Sequence, residues 1–235
     1  ELEGVGEVHM PDEEVEPRRV ARTPETPTLK ERMLHDISHI PYRCWCDACV
    51  EAFGREKAHS SHNHLGQRRV PLISMDYLFV TEKGIHTREE AGDDADLPST
   101  LKVLVIYDSS SKAPFAVAVP RKGADDFVVK SVVDTIVWLG HSRVVIRSDN
   151  EPAIVAVATE ALKGLKIENL DAAAEGSVPY DPQTNGAAES AVKMCKGMLR
   201  VYRIALEMRL KAKIPPTHPI MTWLVRHATM LRMMC

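Results

Sequence analysis

Aromatic side chains, cysteines, long apolar runs and surplus basic charge are all scarce in this sequence, and each shortage narrows what it encodes. Aromatic residues make up only 5%, but with 44% hydrophobic and 27% charged residues the composition is that of an ordinary globular chain. Five cysteines in 235 residues are too few and too clustered for a disulfide scaffold: Cys44, Cys46 and Cys49 lie together, while Cys195 and Cys235 are isolated. A reducing compartment is the expectation. No stretch approaches the roughly 18 uninterrupted apolar residues of a membrane span, and no charged-then-apolar leader opens the chain, so no membrane partner is expected. The chain starts at Glu1 without an initiator Met and stops inside an amphipathic pattern at Cys235, which reads as a segment of something longer.

The missing basic surplus is the most informative shortage. Thirty Lys and Arg against 33 Asp and Glu give a net charge of -3, without the footprint expected of a nucleic-acid binder. That value averages two opposed regions. The first 28 residues hold eight acids against the three bases Arg18, Arg19 and Arg22. From Lys193 to Lys213 seven bases face the single acid Glu207. Distribution, not total, carries the information about partners.

Along the chain, residues 1–27 are acidic and Pro-containing with little apolar periodicity, the composition of a disordered lead-in. A His/Cys segment spans 28–54, opening on a helix-like pattern (Leu29, Met33, Leu34, Ile37) that ends before Pro41. A polar linker covers 55–69, an α/β core 70–211, and a truncated helical extension 212–235. Within the core the pattern predicts strands over 73–80, 101–107 and 114–119, with 82–99 a loop or insertion. A helix over 125–139, a strand over 144–146, a helix over 152–162, a fifth strand over 167–173 and a long helix from Ala187 to about Lys211 follow. Three meandering strands followed by alternating helices and strands give a mixed five-stranded sheet with flanking helices, a ribonuclease-H-like arrangement preceded by the small His/Cys segment.

Three acids stand where burial does not invite them. Asp76 interrupts an apolar strand, where an unpaired carboxylate costs several kcal/mol, about 2–7 for a polar group and more for a charge. Asp149 ends a strand in Ser148-Asp149-Asn150, and Glu189 lies in the first turn of the long helix. Each has an ordinary reading: a solvated strand edge for Asp76, a helix cap for Asp149 or Asn150, a pairing of Glu189 with Lys193 four residues on. As a set they converge, because the sheet order brings the first strand beside the fourth and carries the last helix across both. Carboxylates meeting there repel one another unless divalent cations are bound. Two such ions sharing oxygen ligands suit displacement at phosphorus. Asp108, Asp125, Asp126 and Asp181 are competing acids, explained by turn and helix-start chemistry.

The blocks Ile73-Ser74-Met75-Asp76, Ile146-Arg147-Ser148-Asp149-Asn150 and Pro179-Tyr180-Asp181-Pro182-Gln183-Thr184-Asn185-Gly186-Ala187-Ala188-Glu189 resemble the three signatures of the retroviral and retrotransposon integrase catalytic core. The third block is the most specific, and the resemblance runs from about Arg69 to Leu210. It implies catalytic, metal-holding roles for Asp76, Asp149 and Glu189 with two Mg2+ or Mn2+ ions, and DNA contacts for Lys193, Lys196, Gln183 and Asn185. Two departures stand out: 39 residues separate Asp149 from Glu189, a few more than usual, and Glu151 replaces the Gly common after S-D-N.

On a helix, Glu189, Lys193, Lys196, Arg200 and Arg203 fall within an arc of about 80 degrees, so one stripe carries the acid and then four cations. Phosphates crossing the metals would run along it. Upstream, His35 and His39 at i, i+4 with Cys46-x2-Cys49 offer four ligands for one structural Zn2+, with reduced structural cysteines as the ordinary reading and Cys44, His59, His62 and His64 as alternative ligands. An integrase-type amino-terminal zinc module uses the same ligand types in the same order, although only six residues separate His39 from Cys46 here.

The resemblance implies a DNA integrase of a long-terminal-repeat retrotransposon polyprotein, copia- or gypsy-like. Its reactions would be 3′-end processing and strand transfer between element ends and target DNA. It also implies a homo-oligomer in the nucleus or a cytoplasmic particle. A related transposase or nuclease, and a catalytically silent nucleic-acid-binding or assembly module of the same fold, are the other readings.

Overall fold

The computed structural model describes residues 26–53, 70–148, 151–176 and 182–234. The acidic lead-in, apart from residues 26 and 27, and the 55–69 linker lie outside them. Thr28 opens α1 (Leu29–Ser38) with a reciprocal cap: its hydroxyl accepts the Glu31 N–H, and the Glu31 carboxylate accepts the Thr28 N–H at 2.8 Å. The helix ends at His39, which turns left-handed at φ 51° while its N–H donates to the His35 carbonyl. A short turn leads to α2 (Asp47–Phe53).

The core follows as β1 (Leu72–Thr81), β2 (Gly84–His86), α3 (Arg88–Ala91), a 3-10 turn (Gly92–Asp96), β3 (Leu101–Asp108), β4 (Pro114–Val119), α4 (Asp126–Trp138), β5 (Arg143–Ser148), α5 (Pro152–Ile167), β6 (Asp171–Gly176), α6 (Pro182–Leu210) and α7 (Pro219–Met234). The sheet order is β4-β3-β1-β5-β6. β1, β3 and β4 form an antiparallel meander, and β5 and β6 add in parallel on the other side of β1. This is the mixed, helix-flanked sheet of the ribonuclease-H-like class, with the His/Cys segment in front of it.

Four details differ from the sequence reading. A sixth strand, β2, folds back on the end of β1, pairing Thr81 with Gly84, so the 82–99 stretch is an insertion that carries a hairpin and a helical turn. Gly84 adopts φ 145°, a value open to glycine, which makes that tight return feasible. α5 continues five residues past 162, because its buried stripe (Ile154, Val157, Ala158, Ala161) extends to Leu165. Gly164 there marks close helix contact: a Cβ would come 2.8 Å from Val133 Cγ2 on α4. The final strand is correspondingly displaced to 171–176. α6 begins at Pro182, where proline's fixed φ suits a first turn, not at Ala187.

Strand alternation sorts the side chains into two layers. Ile73, Met75, Tyr77 and Phe79 point into a core with Val128, Val132 and Ile136 of α4 and Ile154, Val157 and Leu165 of α5. Leu78, Val80, Val103 and Val105 face the opposite layer, made by Ala191, Val192, Cys195 and Leu199 of α6 and Met221, Leu224 and Val225 of α7. The region expected as an extension past 211 thus carries α7, which is built into this second layer. No described helix is long and apolar enough to cross a membrane.

The His/Cys segment docks on α6 away from the sheet. Cys46, Ala48, Cys49 and Ala52 are buried with Val201, and Trp45, Ile204 and Ala205 pack around them. Phe53 lies over Gly197 so closely that a Cβ there would meet its ring at 2.1 Å. The Tyr202 hydroxyl donates to the Ser38 carbonyl, and Arg200 Nη1 donates to the Ala52 carbonyl at 3.3 Å.

Candidate functional site

Among the described residues the parallel ladder between β1 and β5 pairs Leu72 with Val145, Ile73 with Ile146, Ser74 with Arg147 and Met75 with Ser148. Asp76 is the next residue of one strand. Asp149 is the next residue of the other chain segment and lies, with Asn150, outside the described residues. Because Met75 and Tyr77 belong to the α4/α5 core, alternation directs Asp76 to the α6/α7 layer. Asp76 is half-buried, and its Oδ1 accepts the Tyr77 N–H at 2.6 Å. Glu189 stands exposed in the early part of α6, on that same layer, with Lys193 Nζ 3.9 Å from its carboxylate. Gln183 and Asn185 fall in the opening turns of α6.

Glu151, the acid at an unusual position, is neutralised. It pairs with Lys122 of the β4–α4 connection, whose Nζ also lies 5.4 Å and 5.3 Å from the ring centres of Tyr77 and Phe79. The neighbouring Gly123 N–H donates to the Tyr77 hydroxyl at 3.1 Å. Sequence reasoning missed Lys122, and no local pattern announces it, since 29 residues separate the partners.

Two of the competing acids, Asp125 and Asp108, have structural roles, and Asp181 lies outside the described residues. Asp125 caps α4 by accepting the Phe127 N–H at 3.1 Å. Asp108 pairs with Ile73 at the opposite end of β1 from Thr81 and is fully buried. It accepts hydrogen bonds from Ser110 N–H, Ser111 N–H and the Ser111 hydroxyl, with His141 Nε2 at 3.0 Å. Burial works against the charged form, yet these bonds outweigh it and hold the carboxyl below its ordinary value.

The cationic stripe divides on inspection. Lys193 is 73% exposed. Lys196 is only 15% exposed and ion-paired with Glu90 of α3, and Arg200 reaches the Ala52 carbonyl. Arg203 is buried: it donates to Glu207 Oε1 at 3.0 Å, to the Thr81 carbonyl at 3.4 Å and to the Ile214 carbonyl at 2.7 Å. Glu207 in turn accepts the Ile214 N–H at 2.9 Å and an ion pair from Lys213. The helical arc groups all four cations, but the hairpin at β2, the His/Cys segment and the 211–218 connection cover three of them to differing extents.

His35, His39, Cys46 and Cys49 are all buried and bring four ligand atoms within 4.8 Å of one another. His39 Nδ1 lies 3.4 Å from Cys46 Sγ and 3.9 Å from Cys49 Sγ, and His35 Nε2 lies 3.3 Å from Cys49 Sγ. Tetrahedral zinc with bonds of about 2.3 Å to sulfur and about 2.05 Å to nitrogen separates N from S by about 3.5 Å, so the donor set fits. The left-handed turn at His39, not a continuous helical face, brings its imidazole back to the knuckle. Burial lowers the pKa of both imidazoles, favouring the neutral, metal-binding form, and pushes the Cys49 thiol up to about 12. A cation among these groups would reverse that last effect. Trp45 packs edge-on against His35, 4.8 Å between ring centres.

No protein-family model matches the sequence, and no curated protein matches it. Among solved structures, the chain is similar to a chain of the simian T-cell lymphotropic virus intasome, with 19% identity and a TM-score of 0.48 over 78% of this chain and 55% of that one. It spans little more than half of that chain's length. It is also similar to the catalytic core domain of BIV integrase, with 19% identity and a TM-score of 0.38 over 69% and 80% of the two chains. The HTLV-2 integrase catalytic core domain in complex with magnesium gives 14% identity and a TM-score of 0.44 over 69% and 86%. The ribonuclease-H-like assignment stands on the strand order and pairing of this chain.

Proposed function

We propose that this chain is the integrase segment of a long-terminal-repeat retrotransposon, acting on DNA by metal-dependent phosphoryl transfer: 3′-end processing, then strand transfer into target DNA. The observation that carries the reading is the parallel pairing of β1 with β5, which sets Met75 against Ser148, each directly followed in sequence by an acid of the triad, with Glu189 on the helix that covers the Asp76 side of the sheet.

Asp76, Asp149 and Glu189 are hard oxygen donors of the kind that hold Mg2+ or Mn2+, and two such ions supply activation of the attacking oxygen and neutralisation of charge on the leaving one. The chain's own contribution is placement. β1 fixes Asp76 within a paired strand, and α6, packed against both the sheet and the His/Cys segment, fixes Glu189 and aims Lys193 along the path of a phosphate backbone. Gln183, Asn185, Lys196 and Arg200 are the further nucleic-acid contacts of this reading, and the buried Arg203 serves the fold. A structural zinc at His35, His39, Cys46 and Cys49 would hold the segment that braces α6. Homo-oligomeric action in the nucleus or a cytoplasmic particle belongs to the same proposal.

Strand transfer between labelled element-end and target duplexes, with Mg2+ or Mn2+, tests it. Joined product is expected from the protein and none from Asp149→Asn or Asp76→Asn; equal activity in the variants refutes the assignment. Hydrolysis without joining would identify a nuclease of the same fold instead.

A further inference from the structure

Glu90 lies on α3, in the insertion between β2 and β3, 106 residues before Lys196. Its carboxylate nevertheless pairs with the Lys196 ammonium, and His86 Nδ1 is 3.9 Å from the same carboxylate oxygen. Arg200 follows Lys196 by one helical turn, and its charge, with that of Lys196, bears on His86. An ammonium and an imidazole about one anionic oxygen, with a guanidinium one helical turn further along, form a setting suited to a phosphodiester as well as to a carboxylate. Lys193 precedes Lys196 on the same stripe and is largely in solvent. The stripe is therefore open at Lys193 and covered at Lys196 by an acid from the chain itself.

We propose that Glu90 is an internal stand-in for a DNA phosphate, holding Lys196 until a backbone phosphate arriving along α6 displaces it; this rests on the DNA-binding reading above. Glu90 is built to let go. Its side chain is 40% exposed, and the oxygen that meets Lys196 also accepts the Thr87 N–H at 3.0 Å in the capping box of α3. Losing Lys196 thus leaves the carboxylate a partner. The Lys196 side chain, in contrast, is 15% exposed, and its position in the middle of a long packed helix keeps it in place. Lys196 neutralises one phosphate, and frees that phosphate's counterion, with or without Glu90; what Glu90 adds is the cost of breaking its own pair with Lys196 first.

The test is anisotropy of a labelled DNA duplex titrated with the full chain over a salt series. Glu90→Gln preserves the capping box, because Gln serves at that position. It is expected to bind about fivefold tighter at low salt. Its log-log salt slope should stay the same, since the same phosphates are neutralised. Lys196→Gln should bind more weakly, and adding Glu90→Gln to it should change nothing. Glu89→Gln, an exposed neighbour with the same charge change, should match the unmodified chain. Equal or weaker binding by Glu90→Gln, or the same gain in the Lys196→Gln background, overturns the gate. If no protein in the set binds DNA, the proposed function itself fails, a result distinct from one in which the unmodified chain binds and Glu90→Gln merely equals it.

Discussion

Met75 and Ser148 are partners in the parallel ladder between β1 and β5, both pointing toward the α4/α5 core. The residue after each is an acid, and the change of side at every step along β1 sends Asp76 to the α6 layer, away from the side chain that precedes it. Asp76→Asn should therefore leave the sheet intact. If the proposed triad converges, the variant's melting temperature in metal-free buffer should equal or exceed that of the unmodified chain, since one charge of the three is removed. The rise in melting temperature on adding Mg2+ or Mn2+ should disappear. A large loss of stability without metal would show instead that the carboxylate holds the strand.

The His2Cys2 cluster predicts one zinc per chain by atomic absorption. Cys49→Ser should lose that zinc and lower the melting temperature, and chelation should do the same to the unmodified chain. A chain purified without zinc that binds none on titration, and melts no differently with chelator, would leave these residues as reduced structural cysteines and buried histidines.

Gly197 and Phe53 define how closely the segment approaches α6. Gly197→Ala should cost about 1–3 kcal/mol through overpacking, read from urea unfolding. Phe53→Ala should recover part of that loss when combined with it, giving a coupling energy of opposite sign to the single effects. Strict additivity would mean that the ring moves aside freely.

Arg203 and Lys193 lie on one stripe but should respond in opposite ways. Arg203→Ala leaves the buried Glu207 with the Ile214 N–H and Lys213 alone and should destabilise the fold by about 1–3 kcal/mol. Lys193→Gln should change stability by less than about 0.5 kcal/mol while weakening DNA binding and reducing the salt slope by about one. Equal stabilities of the two variants would contradict the network.

Acid sensitivity follows from the same carboxylates. Burial raises the Glu207 pKa, but the Ile214 N–H, Lys213 and Arg203 together bring it below its ordinary value, and Asp108 is lowered by the serine and His141 bonds despite its burial. A folded-state pKa below the unfolded one means stability that is complete above the ordinary carboxylate range, near pH 4, and lost as pH falls through the lowered values. Denaturant midpoints should hold from neutrality to about pH 5 and drop below pH 4. Glu207→Gln, which removes one of these buried lowered groups, should flatten part of that decline.

Much of this protein is legible in its sequence, for reasons of local physics. Alternating and continuous apolar runs marked the three meander strands, Asp125 marked the start of α4, and Thr28 followed by Leu29 marked α1. The spacing of His35, His39, Cys46 and Cys49 identified a ligand set that the fold gathers. Tertiary structure decided what depends on distant neighbours. Gly164 continues a helix because α4 lies against it, and β2 exists because the end of β1 has an open edge for it to pair with. A helical arc groups Lys193, Lys196, Arg200 and Arg203 by angle alone, but whether each cation meets solvent, Glu90, Ala52 or Glu207 depends on elements up to 148 residues away. Periodicity within one helix carries no information about what packs upon it, which is why the sequence located the basic face and only the folded chain showed which part of it is open.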